Sequence, residues 1–506
     1  MEDSTAESST CMSPVASKTQ LDWSECPTKK KSAKKQKCGR KSKKSDELIQ
    51  YKLSLIEASN NPGQHGFTLM MIAEEIEEGY AVNCSPSQIK AVISCIKHVM
   101  KDTCALACGA MILQVAIEED VANLDIVREE GAIDLMVECM KFHAGDADVQ
   151  SSCCIALASY IELAIGDYLA PVPYQPKSAA RARQAGGAEA VVTAMKRFPK
   201  KRELQECACA ALRSIGGDQE AGVERVRNAG GIEVAIAALR NHGKNLKVAE
   251  QAFSLLFSLW GEGEMQTCRM FGEAGAIEAI MDTMLMHKMR GELQLKGSIL
   301  LTVASSTLQN CARLQKHGGV EFVMLTMRNH HDMWALQEVS CKTFANLALL
   351  GMPTQDAIRT VGGIDAIESA MKTYGKVARV QEEGCRALHC LANSNPVNTD
   401  RILELDGIPK IIGTMKVHRK NVTVQMHGIK ALNVLIGVNK ASQLLASEAD
   451  SIKERVRPEG IKAVITAMRL HKEEADFQRK GSVALESMAR GNEENRKKID
   501  GLLADA

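Results

Sequence analysis

A spacing of about 44 residues between copies of one short phrase constrains this chain more than any other feature. The phrase starts with glycine and runs into apolar residues, as in Gly-Gly-Ile-Glu-Val-Ala at 230–235 and Gly-Gly-Ile-Asp-Ala-Ile at 362–367. We take the third residue of each copy as its anchor, which gives Ile89, Ile133, Ala188, Ile232, Ile277, Val320, Ile364, Ile408, Ile461 and Leu502. The steps between anchors are 44, 55, 44, 45, 43, 44, 44, 53 and 41 residues, so two copies carry insertions. A period held this closely predicts a repeat array.

Each copy predicts three helices. A short polar helix comes first, the glycines then supply a sharp turn, and a second helix starts at the anchor. Six consecutive copies have an acid directly after the anchor, and most have Lys or Arg eight residues after it, which suits the helix dipole. A third helix starts about 16 residues after the anchor, as at Val380–Ala392, where apolar residues recur at helical spacing. Gly or Ala in its middle predicts close approach of neighbouring helices.

The glycine turn, the anchor helix and the phrase VQEEGCRALHCLA at 380–392 together resemble the armadillo repeat. The resemblance covers roughly residues 85–506 and is greatest to the armadillo segments of leucine-rich-repeat kinases and to protist armadillo proteins. It implies an all-α, right-handed armadillo/HEAT-like superhelical solenoid of about nine three-helix repeats. No kinase signature accompanies it.

The predicted organisation has three parts. Residues 1–45 form a disordered basic tail, 46–86 a helical N-terminal cap and 87–506 the solenoid. Insertions fall near 166–180 and 439–457, and the prolines of the first, Pro171, Pro173 and Pro176, favour an extended loop. Residues 1–46 carry 11 Lys/Arg and 6 Asp/Glu, so a tail of net charge +5 precedes a body of net charge −4.

The tail contains a lysine-rich segment, KKKSAKKQKCGRKSKK, at 29–44. It holds too few apolar residues for a core and is typical of a solvated segment. A nuclear localisation signal and a nucleic-acid-binding arm are the functional alternatives. The candidate signal residues are Lys29, Lys30, Lys31, Lys34, Lys35 and Lys37.

The sequence offers no sign of catalysis. Phosphate-binding, metalloprotease, nucleophile-elbow and dinucleotide motifs are missing, and the carboxylates and histidines recur with the structural period. The 17 cysteines have no zinc-ligand spacing and fit reduced, buried positions. Met recurs seven residues and His ten residues after the anchors, which indicates packing rather than a metal ladder. We therefore expect a monomeric non-enzyme without cofactor or metal, and no apolar run is long enough to span a membrane.

A basic tail followed by about nine armadillo repeats also resembles the layout of importin alpha. That family holds basic peptides with a Trp and an Asn four residues apart on its third helices. Of the nine equivalent Trp positions here none is Trp, and of the nine Asn positions only Asn346 is Asn. The chain is therefore not expected to act as an importin alpha.

The same alignment places Lys342, Arg386 and Lys430 at one register of three consecutive third helices. Together with Asn346 they are the candidate partner-binding residues, and a basic strip would suit an acidic peptide. The alternative is that Glu338–Lys342 and Glu382–Arg386 are ordinary surface pairs four residues apart.

The expected function is a protein–protein interaction scaffold that binds partners on its concave face. Small GTPases are one partner class by analogy with kinase-associated armadillo segments. A nuclear transport or chromatin-associated factor that uses the tail is the first alternative, and nucleic-acid binding, through the tail or by the solenoid, is the second. The expected location is cytoplasmic, nuclear or both.

Overall fold

A computed structural model of the chain describes residues 43–58, 62–78, 83–161, 176–260, 265–437, 459–490 and 492–504. Every regular element in these ranges is an α-helix, which confirms the all-α prediction. The helices form two compact units, divided between Thr267 and Cys268.

The second and third helices of each repeat alternate along the described chain, and we number the repeats by them. The second helices of repeats 1 to 9 are Pro86–His98, Ala132–Phe142, Gly187–Arg197, Gly231–His242, Ala276–Met286, Gly319–Asn329, Gly363–Thr373, Gly407–Val417 and 459–470. The third helices are Thr103–Glu119, Ala147–Ile161, Arg202–Gly216, Leu246–Leu259, Gly291–Ala304, Trp334–Ala348, Ala378–Ala392, Val422–Gly437 and Ala475–Ala489. Within each unit, consecutive third helices pack on one another.

Shorter first helices precede the second helices of repeats 2 to 8. They are Asn123–Glu129, Pro176–Gln184, Glu220–Ala229, Met265–Ala274, Leu308–Lys316, Met352–Thr360 and Pro396–Glu404. Two further helices, Lys43–Ala58 and Pro62–Glu77, come before repeat 1, and Glu493–Ala504 follows repeat 9. Pro62–Glu77 packs against Thr103–Glu119 in the way that third helices pack elsewhere.

The predicted glycine turns are present. Gly362, for example, has a φ of 85° directly before the helix Gly363–Thr373. A side chain resists this left-handed backbone, which explains why glycine recurs here. Repeat 8 differs, since Asp406 takes this position with a φ of 58°.

Small residues in the third helices accommodate methionines of the second helices. A Cβ at Gly384 would lie 2.5 Å from Cγ of Met371, and one at Gly428 would lie 2.8 Å from Cγ of Met415. Met371 and Met415 are buried, so the recurrent methionines serve packing, as predicted.

A recurrent glutamine near the start of the third helix caps the second helix. Nε2 of Gln425 donates to the carbonyl oxygens of Met415 at 2.7 Å and His418 at 3.1 Å. Equivalent bonds are made by Gln150, Gln205, Gln294, Gln337, Gln381 and Gln478. These bonds satisfy carbonyl groups that a helix end leaves unpaired.

The histidines that recur ten residues after the anchors join neighbouring repeats, because their rings contact backbone carbonyl oxygens of the preceding repeat. Nε2 of His418 lies 2.8 Å from the carbonyl oxygen of Gly375, and Nε2 of His330 lies 2.9 Å from that of Lys288. The same kind of contact with a backbone carbonyl oxygen is made by His143, His242 and His471. At the equivalent position of repeat 7, the hydroxyl of Tyr374 donates to the carbonyl oxygen of His331. The packing role predicted for these histidines therefore takes the form of hydrogen bonds between neighbouring repeats.

Three expectations at segment boundaries need correction. Residues 176–180, predicted as part of an extended loop, begin the helix Pro176–Gln184, because proline is well tolerated in a first helical turn. The first helix begins at Lys43, inside the predicted tail. Leu502 is not a turn anchor, since Glu493–Ala504 continues through it. Residues 1–42, 162–175 and 438–458 lie outside the described residues. They include the first part of the predicted insertion at 166–180 and all of the one at 439–457.

Candidate partner-binding surface

Three cations of the predicted basic strip occupy equivalent positions of third helices in the unit from Cys268 onward. Lys342, Arg386 and Lys430 belong to Trp334–Ala348, Ala378–Ala392 and Val422–Gly437, and all three are partly exposed. These helices are consecutive and pack on one another. We call the exposed side of Lys342, Arg386, Lys430 and their charged neighbours Glu338, Arg379 and Glu382 the charged surface.

One carboxylate links two of these cations. Glu383, nearly buried, has Oε1 at 3.5 Å from Nζ of Lys342 and Oε2 at 3.2 Å from Nη1 of Arg386. Lys342 belongs to the preceding repeat, so the carboxylate spans two repeats. The alternative pairs predicted from the sequence, Glu338–Lys342 and Glu382–Arg386, do not form ion pairs. Both cations pair with Glu383 instead.

Asn346 lies beneath the charged surface. Its side chain is buried, with Oδ1 accepting a 2.7 Å hydrogen bond from Nη2 of Arg386. Its Nδ2 donates to the carbonyl oxygen of Thr302 and to Oγ of Ser305, both at 3.2 Å. Both amide hydrogens are therefore used inside the protein, and Asn346 positions Arg386.

Two carboxyl groups of this surface bind protons near neutral pH. Burial is the main cause that raises the pKa of Glu338 to about 7, and Glu383 adds to it. Burial followed by Glu383 likewise raises the pKa of Glu382 to about 7. Oε2 of Glu338 is buried without a hydrogen-bond partner. Since these acids are only partly ionised at pH 7, the cations outweigh them.

Two histidines beside Lys430 stay neutral. Nδ1 of His389 contacts the carbonyl oxygen of Lys430 at 3.2 Å. Burial, followed by the charge of Lys430, lowers the pKa of His389 to about 4 and that of His427 to about 3. A buried imidazole next to cations disfavours the charged form. The histidines therefore add polar groups and no charge to this surface near neutral pH.

The third helices before Thr267 present a different surface. Ile155, at the position equivalent to Lys342, is 42% exposed, and Phe257 is 40% exposed. Charge at this register is therefore a property of repeats 6 to 8.

Other sequence candidates yield less. Lys29, Lys30, Lys31, Lys34, Lys35 and Lys37 lie outside the described residues. Ten of the fourteen described cysteines are buried and none forms a disulfide there. In the same ranges, no group of His, Cys, Asp and Glu side chains is arranged to hold a metal ion. None of the described helices combines the length and apolarity that a membrane span requires.

Sequence reasoning missed Glu383, the residue that organises the strip. It lies three residues before Arg386 in the same helix, a spacing that allows an ion pair as readily as the four-residue spacing of Glu382, so spacing within the helix alone does not choose between the two acids. The second partner of Glu383, Lys342 of the preceding repeat, lies 41 residues earlier in the sequence. That separation is three residues shorter than the 44-residue period, so comparing positions 41 residues apart would have found this pair.

Comparison with known proteins shows the fold alone. No family model and no curated protein matches the sequence. A chain from a structure of the interaction between cadherin and beta-catenin matches with a TM-score of 0.69 at 13% identity, over 87% of this chain and 80% of that one. An engineered protein matches with a TM-score of 0.63 at 18% identity, over 87% of this chain and 98% of that one.

The chain has an all-α, armadillo-like repeat fold. Both likenesses extend over most of the chain, in keeping with the period of the sequence. The predicted all-α solenoid is thereby confirmed.

Proposed function

We propose that this protein is a non-catalytic scaffold that binds an acidic segment of a protein partner on the charged surface. The observation that carries the proposal is the convergence of Lys342 and Arg386 on one carboxylate, Glu383. Two cations share one anion, Lys430 and Arg379 add positive charge, and the raised pKa values of Glu338 and Glu382 reduce the opposing charge. Complementary charge of this kind governs association rate and selectivity.

The arrangement also holds the cations in place before a partner arrives. Arg386 is held by both Asn346 and Glu383, so binding costs less side-chain entropy than it would for a freely rotating arginine. A partner carboxylate would compete with Glu383 for Lys342, whose side chain is 45% exposed. The proposal therefore assigns recognition to Lys342, Arg386 and Lys430, and positioning to Asn346 and Glu383.

A fluorescent oligoglutamate peptide and anisotropy test the surface. The triple variant Lys342→Glu/Arg386→Glu/Lys430→Glu is expected to abolish binding with unchanged helicity by circular dichroism. Lys288→Glu/Lys376→Glu/Lys420→Glu is the matched control, because it reverses three exposed charges on turns of the same unit. Equal losses in both triples would leave only net charge as the cause and contradict the proposal.

A single substitution separates recognition from folding. Lys430→Glu leaves the ion pairs of Glu383 in place and is expected to weaken peptide binding severalfold. Unchanged affinity would remove Lys430 from the binding surface.

Partner identity needs a separate experiment. The beta-catenin likeness and the resemblance to kinase-associated armadillo segments support a protein partner, with small GTPases as the second class to test. Affinity purification of the full chain and of the charge-reversed triple, followed by mass spectrometry, is expected to recover partners that depend on this surface. Identical recoveries would contradict binding there.

A further inference from the structure

Two carboxyl groups of the charged surface lack the ion pairs that the cations around them could supply. Lys342 and Arg386 both pair with Glu383. Neither Glu338 nor Glu382 forms an ion pair with any of the described residues, and Oε2 of Glu338 is buried without a hydrogen-bond partner. A charged oxygen in such a place is costly, whereas a neutral carboxyl group costs much less. The packing therefore favours the protonated form of Glu338.

The charged groups around these two acids lie on four consecutive third helices. The two central helices, Trp334–Ala348 and Ala378–Ala392, supply Lys342, Arg379, Glu383 and Arg386. The two outer helices, Gly291–Ala304 and Val422–Gly437, carry Glu292, Lys296, His427 and Lys430. Burial lowers the pKa of His427 to about 3, so this imidazole stays neutral over the range in which the two acids change charge.

We infer that an acidic partner and protons bind the charged surface together, with Glu338 and Glu382 taking up the protons. This inference rests on the proposed function, because it concerns the same surface. A partner carboxylate near Lys342 would add negative charge beside the two acids, and a nearby like charge disfavours their ionised form. Since binding then favours the protonated acids, protonation must favour binding to the same extent.

The direction of the pH effect follows from this coupling. Burial raises the pKa of Glu338 and of Glu382 to about 7. Both acids are therefore mostly ionised at pH 8 and mostly neutral at pH 6, whereas the cations keep their charge. The affinity for an acidic partner is expected to rise as pH falls through about 7.

Peptide anisotropy at pH 6 and at pH 8 tests the coupling. Wild type is expected to bind the oligoglutamate peptide about tenfold more tightly at pH 6, because two negative charges leave the surface. The peptide itself stays ionised, since the pKa of a free glutamate side chain is about 4.3. Equal affinities at the two pH values would overturn the inference and leave the proposed function standing. Absence of binding at both values would contradict the proposed function, and the inference with it.

Two double variants assign the protons to these acids. Glu338→Gln/Glu382→Gln resembles the protonated form and is expected to bind at pH 8 about as tightly as wild type does at pH 6. The matched control, Glu292→Gln/Glu321→Gln, removes two exposed carboxylates of the same unit and is expected to keep the pH dependence of wild type. Circular dichroism checks that both variants are folded. A full tenfold pH dependence in Glu338→Gln/Glu382→Gln would overturn the assignment.

Calorimetry of wild type measures the protons directly and needs no variant. The heat of peptide binding at pH 7 is compared in two buffers, PIPES and imidazole, which differ in their own heat of ionisation. A net uptake of up to about one proton per peptide is expected, since each acid is half protonated at its pKa. Equal heats in the two buffers would mean that no proton is taken up. That result would overturn the inference and confine the titration of Glu338 and Glu382 to the stability of the fold.

Discussion

Nη2 of Arg386 donates a 2.7 Å hydrogen bond to Oδ1 of Asn346, joining third helices of consecutive repeats beneath the charged surface. The two residues are 40 positions apart. The bond connects the repeat core, through Thr302 and Ser305, to a cation that we assign to partner recognition.

The first prediction concerns this amide. Asn346→Ala removes three hydrogen bonds and leaves buried groups unpaired, so a loss of about 1–3 kcal/mol in the free energy of unfolding is expected. Urea denaturation measures it. Ser487→Ala, at the partly exposed equivalent position of repeat 9, is expected to change little. Equal, small effects of both substitutions would show that Asn346 does not hold the repeats together.

The second prediction concerns pH. The pKa of Glu338 is near 4.5 in the unfolded chain and about 7 in the folded protein. Between these values the folded state holds more protons, so this group makes the free energy of unfolding fall as pH rises from about 4.5 to about 7. Glu338→Gln cannot titrate and is expected to be more stable than wild type at pH 8, by about 1–3 kcal/mol.

The comparison with wild type across pH makes this testable. The advantage of Glu338→Gln is expected to shrink towards pH 4, where the wild-type carboxyl is protonated in both states. Glu292→Gln, an exposed substitution on the third helix of repeat 5, serves as the control. Parallel stability curves for wild type and Glu338→Gln would rule out the raised pKa.

Much of the fold was accessible from the sequence because the repeat multiplies weak signals. Glycine before the anchor, Met after it and Gly within the third helix each recur and each have a local steric cause, such as the φ of Gly362. Side chains that act between repeats were harder to predict. Gln425 bonds to carbonyl groups of another helix, and Glu383 bonds to a lysine of another repeat, so neither contact shows up as a spacing within one helix.

Local sequence also left turns undecided. Asp-Gly turns the chain at 406–407, whereas the same pair at 500–501 stays helical within Glu493–Ala504. At 406–407 the turn is stabilised by the helix that follows it, because Gly407–Val417 packs on the third helix of the same repeat, Val422–Gly437. Helix boundaries of this kind depend on tertiary packing rather than on propensity.

A third prediction tests the glutamine caps. Gln425 is 1% exposed, and Gln425→Leu would leave the carbonyl groups of Met415 and His418 without these bonds. A loss of about 1–3 kcal/mol in the free energy of unfolding is expected. Gln251→Leu, partly exposed on the third helix of repeat 4, is the control and is expected to be nearly neutral. A similarly small loss at Gln425 would refute the capping role.

The fourth prediction concerns helix packing. The methyl group of Gly384→Ala would overlap Met371, so a loss of about 1–3 kcal/mol is expected. Gly413→Ala, where a Cβ meets nothing within 4 Å, is expected to stabilise its helix by up to about 1 kcal/mol. In a Met371→Ala background the cost of Gly384→Ala is expected to disappear, because the space is free. An undiminished cost in that double-mutant cycle would place the clash elsewhere.

The last prediction concerns Asp406, which takes the left-handed position that glycine holds in repeats 2 to 7. Asp406→Gly relieves a backbone strain of about 1 kcal/mol. It also removes a carboxylate from the start of the helix Gly407–Val417, where negative charge contributes about 0.3–1 kcal/mol. Asp406→Asn separates the two effects, because asparagine keeps a Cβ-bearing side chain of the same shape on the left-handed backbone but carries no charge. Asn is therefore expected to be slightly less stable than wild type, and Gly to be clearly more stable than Asn in thermal unfolding. Gly362→Asp, the reverse exchange in repeat 7, is expected to lower stability, and the opposite order of Gly and Asn at position 406 would refute the strain.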